Sequence, residues 1–296
     1  MKVLLIGAKG QLGRCLSEIL PNTNYEIMLA SRSDIDLLDF NSMEKQILEF
    51  RPNIIINAAA YTNVDMAEVE SDLANLINNQ AVLKLSQICK SIDSSLIHFS
   101  TDYVFNGKSD IPYAEDDQTN PLGNYGKTKR LGELAIQNTI DKHIIIRTSW
   151  VFSEYGNNFL KTMLRLSETS SNLRIVGDQH GCPTYAHDIA KAVIKIIAKI
   201  ESGLQEWGIF NFSGDSKTSW HDFANKIFDE RLLIDSNHPN PSLTKIASNE
   251  FETKAERPMF STLNNTKIFN SFDITPSDWR NGIKNVLNKI YLDVKK

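Results

Sequence analysis

The sequence predicts an α/β fold in which a doubly wound parallel sheet is joined to a smaller, irregular α/β domain. Five short apolar runs occur in the first half of the chain, at residues 2–6, 25–29, 53–57, 95–100 and 143–148. They are continuous rather than alternating, which indicates strands buried on both faces. Helical patterns separate them, at residues 11–20, 42–50, 65–90 and 124–139. Strands that alternate with helices are typical of a parallel sheet with right-handed crossovers.

The second half of the chain is less regular. It contains a predicted strand at 173–177 and predicted helices at 157–167, at 186–200, after Thr218 or Ser219, and from 275–279 onward. In the first half, Asn41 with Glu44 three residues later predicts the cap of the second helix. We assign residues 1–148 to the first domain and residues 149–173 and 201–296 to the second, and we expect residues 174–200 to pack back onto the first.

Composition excludes several classes of protein. The chain has 296 residues, 41% of them hydrophobic, and a formal net charge of −4 without a block of like charge, so neither nucleic acid nor an anionic membrane is an expected partner. The N-terminal apolar run has five residues, whereas a signal peptide needs about 7–15 and a membrane span about 18. Three scattered cysteines (Cys15, Cys89, Cys182) and six histidines show no disulfide or metal-ligand spacing. We therefore expect a cytoplasmic protein without a metal.

A glycine-rich turn follows the first predicted strand. Gly7, Gly10 and Gly13 stand between that strand and the first helix, with spacing G-x2-G-x2-G rather than the G-x-G-x2-G of the standard dinucleotide fingerprint. Glycines allow the backbone to approach a pyrophosphate, and the helix N-terminus offers free N–H groups to it. The alternative is a plain tight turn. The motif makes the first domain a predicted Rossmann-type dinucleotide-binding domain, and the second a predicted substrate domain.

The end of the second strand bears on the choice of cofactor. An acidic residue there would bond the ribose 2′-hydroxyl of NAD, whereas an arginine would favour the 2′-phosphate of NADP. The strand is followed by Ser31 and Arg32, which favours NADPH, but Asp34 and Asp36 follow closely and keep NADH as an alternative. Arg32 could also be a solvated surface charge.

A tyrosine and a lysine on one predicted helix suggest carbonyl reduction. Tyr125 and Lys129 are four residues apart, which places them on one helix face, where an ammonium would lower the pKa of the phenol. The phenol could then protonate a carbonyl oxygen while a hydride reaches the carbon. Ser100 and Thr101 end the preceding strand and could bond the same oxygen. The same spacing occurs at Tyr291 and Lys295, which we interpret as a frayed terminal helix.

This arrangement resembles the extended branch of the short-chain dehydrogenase/reductase superfamily. A more specific resemblance, to the dTDP-4-dehydrorhamnose reductase family, is carried in order by the stretches STDYVF, IPYAEDD, NPLGNYGKTK, RTSWVF, GNNF, DQHGCPT and RPMFSTL. It covers nearly the whole chain. The resemblance implies NADPH- or NADH-dependent reduction of the 4-keto group of dTDP-4-dehydrorhamnose to dTDP-L-rhamnose, the last step of a nucleotide-sugar pathway that feeds cell-surface polysaccharide.

The resemblance also implies roles for individual residues. It places catalysis on Tyr125, Lys129 and Thr101, and substrate contacts on Thr101, Asp102 and Trp150. Together with the glycine turn and Arg32, the predicted cofactor residues are Gly7, Gly10, Gln11, Leu12, Gly13, Arg32, Asp36, Leu37, Ala59, Ala60, Thr62, Ser100, Tyr125 and Lys129.

Some of these residues have structural alternatives. Ala59 and Ala60 could serve close packing of strand on helix, and Trp150 could be a core aromatic. Arg257 could bind the substrate diphosphate or pair with Glu252 or Glu256, so it is not assigned to the site.

The resemblance leaves the assembly open. Some family members are dimers bridged by Mg²⁺ on glutamates, and a homodimer is an open expectation here. The corresponding positions carry Cys15 and a residue near His187, which are not the hard oxygen ligands that Mg²⁺ prefers.

Two other functions remain open from the sequence. One is an epimerase, dehydratase or reductase acting on another sugar nucleotide. The other is a non-catalytic regulatory subunit that binds NADP, like the β-subunit of methionine adenosyltransferase, which has a similar loop. The long loop between Thr101 and Tyr125 is rich in Asp, Asn, Pro and Gly. We expect it to lie over the carboxyl edge of the sheet, with its acidic residues and prolines shaping the sugar pocket.

Overall fold

The computed structural model describes residues 1–236 and 238–291. Its strands are β1 Lys2–Ile6, β2 Glu26–Ala30, β3 Ile54–Asn57, β4 Ser95–Thr101, β5 His143–Thr148, β6 Val151–Phe152, β7 Asn172–Val176, β8 His180–Gly181, β9 Thr184–Tyr185, β10 Gly208–Asn211, β11 Thr218–Ser219 and β12 Ser242–Ile246.

The α-helices are α1 Gln11–Ile19, α2 Phe40–Phe50, α3 Ser71–Asn75, α4 Ala81–Ser91, α5 Asn124–Gln137, α6 Phe159–Ser167, α7 Ala186–Glu201, α8 Trp220–Ile234, α9 Thr266–Phe272 and α10 Trp279–Tyr291. Short 3₁₀ turns occur at Leu20–Asn22, Met66–Glu68, Asp102–Val104 and Ser248–Glu250, and a π-helical turn, Leu76–Gln80, joins α3 to α4. No helix among these described residues is both long and apolar enough to span a bilayer.

Six parallel strands form the central sheet, in the order β10-β5-β4-β3-β1-β2. Successive residues of each strand face opposite sides. Val3 and Leu5 pack with α1 and α7 on one face, whereas Leu4 and Ile6 pack with α2 and α4 on the other. The predicted fold class, a doubly wound parallel sheet, is confirmed.

A second core lies beside this sheet. It is formed by α6, α8 and α10 with the parallel pair of β7 and β12, around Phe152, Phe223 and Trp279. The topology differs from the predicted domain division in two places. β7 pairs with β12 instead of returning to the large sheet with α7, and β10, from the range 201–296, is an edge strand of that sheet. Neither strand pairing could be predicted from a local sequence pattern, because each joins strands that are distant in the chain.

Local predictions hold with small corrections. The helix predicted at 65–90 is divided into a 3₁₀ turn, α3, the π-helical turn and α4. The cap of α2 is Asp39, whose carboxylate accepts from the backbone N–H of Ser42, and not Asn41, which lies inside the helix. Ser219 caps α8 by accepting from the N–H of Asp222. The interpretation of Tyr291 and Lys295 as part of a frayed terminal helix stays a prediction, since Lys295 lies outside the described residues.

The long loop after β4 joins the two parts of the molecule. Phe105 and Tyr113 stack with centroids 4.2 Å apart and pack on Leu263. Glu115 accepts from the backbone N–H of Asn211 at 2.8 Å, which ties the loop to β10. The acidic residues were expected to shape the sugar pocket. The carboxylate of Glu115 instead accepts from the backbone of β10, and the carboxylate of Asp117 accepts from the backbone N–H of Ala114.

Candidate active site

The glycine turn after β1 is shaped by close backbone approaches. Gly7 has φ +85°, and a Cβ atom there would lie 2.8 Å from the backbone nitrogen of Ala59. A Cβ at Gly13 would lie 2.0 Å from the carbonyl oxygen of Gly7. Both positions therefore require glycine, since neither backbone could move away without disrupting the sheet.

The N-terminus of α1 has no side-chain cap. Its N-cap is Gly10, so no hydroxyl or carboxylate competes for the first N–H groups. The side chain of Gln11 lies across the turn and donates to the carbonyl oxygen of Val151 at 3.1 Å. A bare helix N-terminus beside a turn that excludes Cβ atoms fits a dinucleotide pyrophosphate.

The remaining predicted cofactor residues differ in how exposed their side chains are. Arg32 is largely exposed, and its Nε lies 3.5 Å from Asp36 Oδ2. Leu37 and Ser100 are buried, Ala59 and Ala60 are partly buried, and Thr62 is exposed. Arg32 is therefore free to meet a phosphate, because a single long contact to an exposed carboxylate holds it weakly.

Tyr125, Thr101 and Asp102 meet where β4 ends. Thr101 donates to Asp102 Oδ1 at 3.0 Å, and its hydroxyl is near enough to Tyr125 to affect the pKa of the phenol. Burial raises the pKa of Tyr125 to about 12, and the nearby Asp102 raises it further, while Thr101 lowers it. Burial likewise raises the pKa of Asp102 to about 7, against hydrogen bonds from Ser261 and Thr101.

Lys129 lies beneath this group and is held by other partners. Its Nζ donates to the carbonyl oxygen of Phe99 at 2.6 Å and lies 3.2 Å from Nε2 of His98. Burial lowers the pKa of Lys129 to about 8. The expectation that this ammonium lowers the pKa of Tyr125 is wrong for this structure. Desolvation raises the pKa of the phenol, and Nζ of Lys129 is directed towards Phe99 and His98 of the sheet.

A buried ion pair that the sequence did not predict supports the helix of Tyr125 and Lys129. Glu133, one turn after Lys129, accepts from Arg147 Nε at 2.9 Å and from its Nη2 at 2.8 Å. Both side chains are almost completely buried. Arg147 also donates to the carbonyl oxygen of Glu115 in the long loop at 3.0 Å. Helix, sheet and loop therefore meet at one guanidinium.

Trp150, the predicted substrate contact, is held in place by its neighbours. Its ring stacks on that of Trp220 with centroids 3.4 Å apart and planes 6° apart, and Gly181 lies against its edge. Its φ of +47° is in the left-handed region, which costs a bulky residue roughly 1–3 kcal/mol. Such strain persists only where the surroundings enforce it, and here two aromatic rings and a glycine fix the side chain.

A cavity of about 410 Å³ is lined by Tyr103, a neighbour of the predicted catalytic residue Tyr125. Its walls are mostly apolar, from Tyr103, Phe159, Thr162, Met163, Leu166, Arg174, Ile175, Val176, Gln179, Trp220, Ser248, Phe251, Thr253 and Arg257. Tyr103 connects it to the reaction centre, because its ring lies edge-on to that of Tyr125 with centroids 5.9 Å apart. Arg257 pairs with Asp65 at 2.9 Å rather than with Glu252 or Glu256, and its buried Nε has no partner.

A second polar cluster joins α1 to the C-terminal helix. One carboxylate oxygen each from Glu18 and Glu154 and one ring nitrogen of His187 lie within 4.8 Å of one another. The ammonium of Lys289 lies among them, 2.5 Å from Glu154 and 3.2 Å from Glu18. The sequence singled out His187 but neither glutamate nor Lys289, because these side chains come from four separate segments.

Comparison with known proteins agrees with this geometry. A family profile described as RmlD substrate binding domain matches residues 1–292. A dTDP-4-dehydrorhamnose reductase of Aggregatibacter actinomycetemcomitans is 43% identical over 287 residues, which is 96% of this chain and 98% of that protein. The chain belongs to the dTDP-4-dehydrorhamnose reductase family.

Solved structures of this family share the fold. A dTDP-4-dehydrorhamnose reductase from Clostridium acetobutylicum is 35% identical and aligns with a TM-score of 0.90 over 98% of this chain and 99% of that one. Another, from Bacillus anthracis, is 34% identical, has a TM-score of 0.89 over 97% and 99% of the two chains, and was solved in complex with NADP. The predicted family is therefore confirmed, and the cofactor of this relative agrees with the predicted one.

Proposed function

We propose that the protein reduces the 4-keto group of dTDP-4-dehydro-6-deoxy-L-mannose, using NADPH, to give dTDP-L-rhamnose. The observation that supports this most strongly is the group of Tyr125, Thr101 and Asp102 at the end of β4. It lies between a turn suited to a dinucleotide and a mostly apolar cavity lined in part by the partly buried Arg257. NADPH, when bound, supplies a hydride to the carbonyl carbon. The glycine turn and the N-terminus of α1 would hold its pyrophosphate, and Arg32 would face the 2′-phosphate.

Residues of the chain would then stabilise and protonate the carbonyl oxygen of the substrate. Tyr125 is protonated at neutral pH, as a phenol ordinarily is, and burial raises its pKa further. Its hydroxyl can therefore donate a proton to the substrate oxygen as negative charge develops there. Thr101 orients the phenol, and its own proton is directed to Asp102. Lys129, buried below them, contributes positive charge to the site while it remains an ammonium.

The cavity is the proposed site for the nucleotide end of the substrate. Aromatic side chains such as Phe159 and Trp220 can stack on a base, and the free Nε of Arg257 can donate to a diphosphate oxygen. In this assignment Trp150 acts on the substrate through the ring of Trp220 and the backbone around it.

A turnover assay tests the proposal. Purified protein is incubated with NADPH and, separately, dTDP-, UDP- and GDP-linked 4-keto-6-deoxy sugars, the dTDP sugar being supplied as the 4-keto-L-mannose epimer. We expect loss of NADPH absorbance equal to the sugar reduced, with the dTDP-linked sugar preferred. Binding of NADPH without turnover of any sugar would favour the regulatory-subunit alternative, and preference for another base would redirect the substrate assignment.

A further inference from the structure

Three buried polar groups form a row under the reaction centre. Asn57 ends β3, His98 lies in β4 and Lys129 lies on α5, and each is at most 2% exposed. Nδ2 of Asn57 is 3.2 Å from Nδ1 of His98, and Nε2 of His98 is 3.2 Å from Nζ of Lys129. None of the roles proposed above involves Asn57 or His98, yet polar groups so deeply buried are costly unless each has a suitable partner.

The hydrogen positions in this row are constrained by its geometry. Burial, with the charge of Lys129 as a second cause, holds the pKa of His98 well below its usual value, so the ring is neutral and has one N–H. Oδ1 of Asn57 accepts from the backbone N–H of Ala59 at 3.2 Å, which directs the amide N–H₂ of Asn57 towards Nδ1 of His98. In this arrangement, which suits an uncharged Lys129, the imidazole proton is on Nε2 and faces Nζ of Lys129.

An ammonium at Lys129 requires the opposite arrangement. Nε2 of His98 must then accept, so the imidazole proton moves to Nδ1 and the amide of Asn57 must reverse to accept from it. Reversal removes the acceptor of the Ala59 N–H. The charge of Lys129, the tautomer of His98 and the orientation of Asn57 are therefore coupled.

We propose that His98 is a positioning residue for Lys129, holding Nζ at its Nε2 atom, and that its tautomer, selected by Asn57, governs whether Lys129 carries its proton. This proposal rests on the proposed reduction, in which Lys129 acts as an ammonium. It predicts that Asn57, at the end of β3, and His98, in β4, affect the rate of reduction without contacting the substrate.

Other charged groups on the surrounding elements have partners of their own. Glu133, one turn along α5, raises the pKa of Lys129 but is paired with Arg147 from β5. Asp102 and Tyr103, on the 3₁₀ turn after β4, act on Tyr125 or on each other.

In the part of the chain that the structure describes, the helical turns that precede α4 place no titratable group within hydrogen-bonding distance of Nζ of Lys129. Glu68 accepts from the backbone N–H of Asn124, and the uncharged Asn78 meets Thr128. Among the described residues, His98 is therefore the titratable side chain within hydrogen-bonding distance of Nζ.

The pH dependence of kcat tests the proposal. Lys129 loses its proton near pH 8, so kcat of the wild type should fall on the alkaline side. His98→Leu removes the acceptor of a buried ammonium, a charge-assisted bond that corresponds to about one pH unit or more. We expect the alkaline limb to move to lower pH by about that amount, a roughly tenfold change in the protonation equilibrium. His98→Gln, whose amide oxygen can accept from Nζ, should keep the limb at or above its wild-type position.

A matched control separates this effect from loss of stability. His143 is a buried histidine on β5 whose Nδ1 contacts the carbonyl oxygen of Ile140 and which has no contact with Lys129. His143→Leu should lower stability without moving the limb. If His98→Leu lowers kcat equally at every pH, its role is structural and the proposal is overturned. Absence of turnover in the wild type would instead contradict the proposed function.

A spectroscopic measurement keeps the test independent of activity. In protein labelled with ¹⁵N at histidine, the proton of His98 should be on Nδ1 below about pH 8 and on Nε2 above it. A single tautomer from about pH 6 to about pH 10 would overturn the coupling, even if His98→Leu failed to fold.

Discussion

At the level of single residues, Tyr125 is the proposed proton donor, and its phenol is fully protonated at neutral pH since burial raises its pKa to about 12. Tyr125→Phe keeps the ring and its contact with Tyr103, so cofactor and substrate should still bind. General acid catalysis typically contributes about 10²–10⁴-fold, so kcat should fall in that range with little change in the affinity for NADPH. Stopped-flow and steady-state assays measure both. Tyr291→Phe, which alters the tyrosine stacked on Arg231, is the matched control and should leave kcat unchanged.

Arg32 gives a second prediction at this scale. Its side chain is 76% exposed and only loosely paired with Asp36, so it can turn towards a 2′-phosphate. A hydrogen bond to a charged group is worth about 1.5–3 kcal/mol, so Arg32→Ala should raise KM for NADPH roughly 10–100-fold. KM for NADH should hardly change. Arg165→Ala, an exposed arginine on α6, should alter neither value. An equal rise for both cofactors would show that Arg32 does not contact the phosphate.

At the level of elements, the pair of Glu133 and Arg147 fixes α5 against the sheet. Removing one partner of a buried pair leaves an uncompensated charge and costs about 3–5 kcal/mol, so Arg147→Met should lower the free energy of unfolding by that amount in urea titrations. Lys142→Met, which breaks the exposed pair with Asp93, should cost about 0–1 kcal/mol. Equal losses in the two variants would contradict this account of α5.

The same pair predicts a dependence on pH. The pKa of Glu133 is lowered in the folded protein, chiefly by Arg147 acting against burial. A lowered folded pKa means that the stabilisation is fully present above the unfolded value, about 4.3, and is lost as the pH falls through the folded value. The difference in stability between wild type and Arg147→Met should therefore narrow below about pH 4. A difference that stays constant from neutral to acid pH would exclude this contribution.

Elements were predictable where local pattern decides them. The run at 53–57 contains three consecutive isoleucines, and residues 54–57 form β3 in the middle of the sheet. The glycine turn was predictable because an adjacent backbone requires glycine at Gly7 and at Gly13. Contacts between segments that are distant in the chain were not predictable from such local patterns. The loop residues Phe105 and Tyr113 give no sign in sequence that they will pack on Leu263.

The burial of the site residues also could not be predicted from the sequence. Spacing correctly placed Tyr125 and Lys129 on one helix, but the sign of the tyrosine pKa shift depends on desolvation, which no local pattern reveals. The strained backbone of Trp150 was hidden for the same reason, since it is imposed by Trp220 and Gly181 from other segments.

At the level of the whole molecule, several links hold the two cores together around the site. β10 completes the large sheet from the second half of the chain, and Glu115 caps it from the loop. Gln11 bridges the glycine turn to Val151, and Lys289 bridges α10 to Glu18 on α1. The groups proposed for cofactor and substrate are thus fixed relative to one another, which suits a single hydride transfer between two bound molecules.

The same arrangement limits the reaction class. Elimination of water from a hexose needs a base for the carbon acid and an acid for the leaving hydroxyl at adjacent carbons. Asp102 could serve as the acid, since burial raises its pKa to about 7. The next residue is Tyr103, whose pKa is raised by burial and by Asp102, so it does not ionise near neutral pH and cannot act as the base.

We therefore predict no elimination from dTDP-glucose. The protein is incubated with dTDP-glucose and NAD⁺, and the 4-keto-6-deoxy product is sought by its absorbance in alkali. The same preparation must oxidise NADPH when it is given a preformed dTDP-4-dehydro-6-deoxy-L-mannose, which shows that the enzyme is active. Appearance of the 4-keto-6-deoxy product at enzymatic rates would mean that another side chain supplies the base, and it would favour a dehydratase over the proposed reductase.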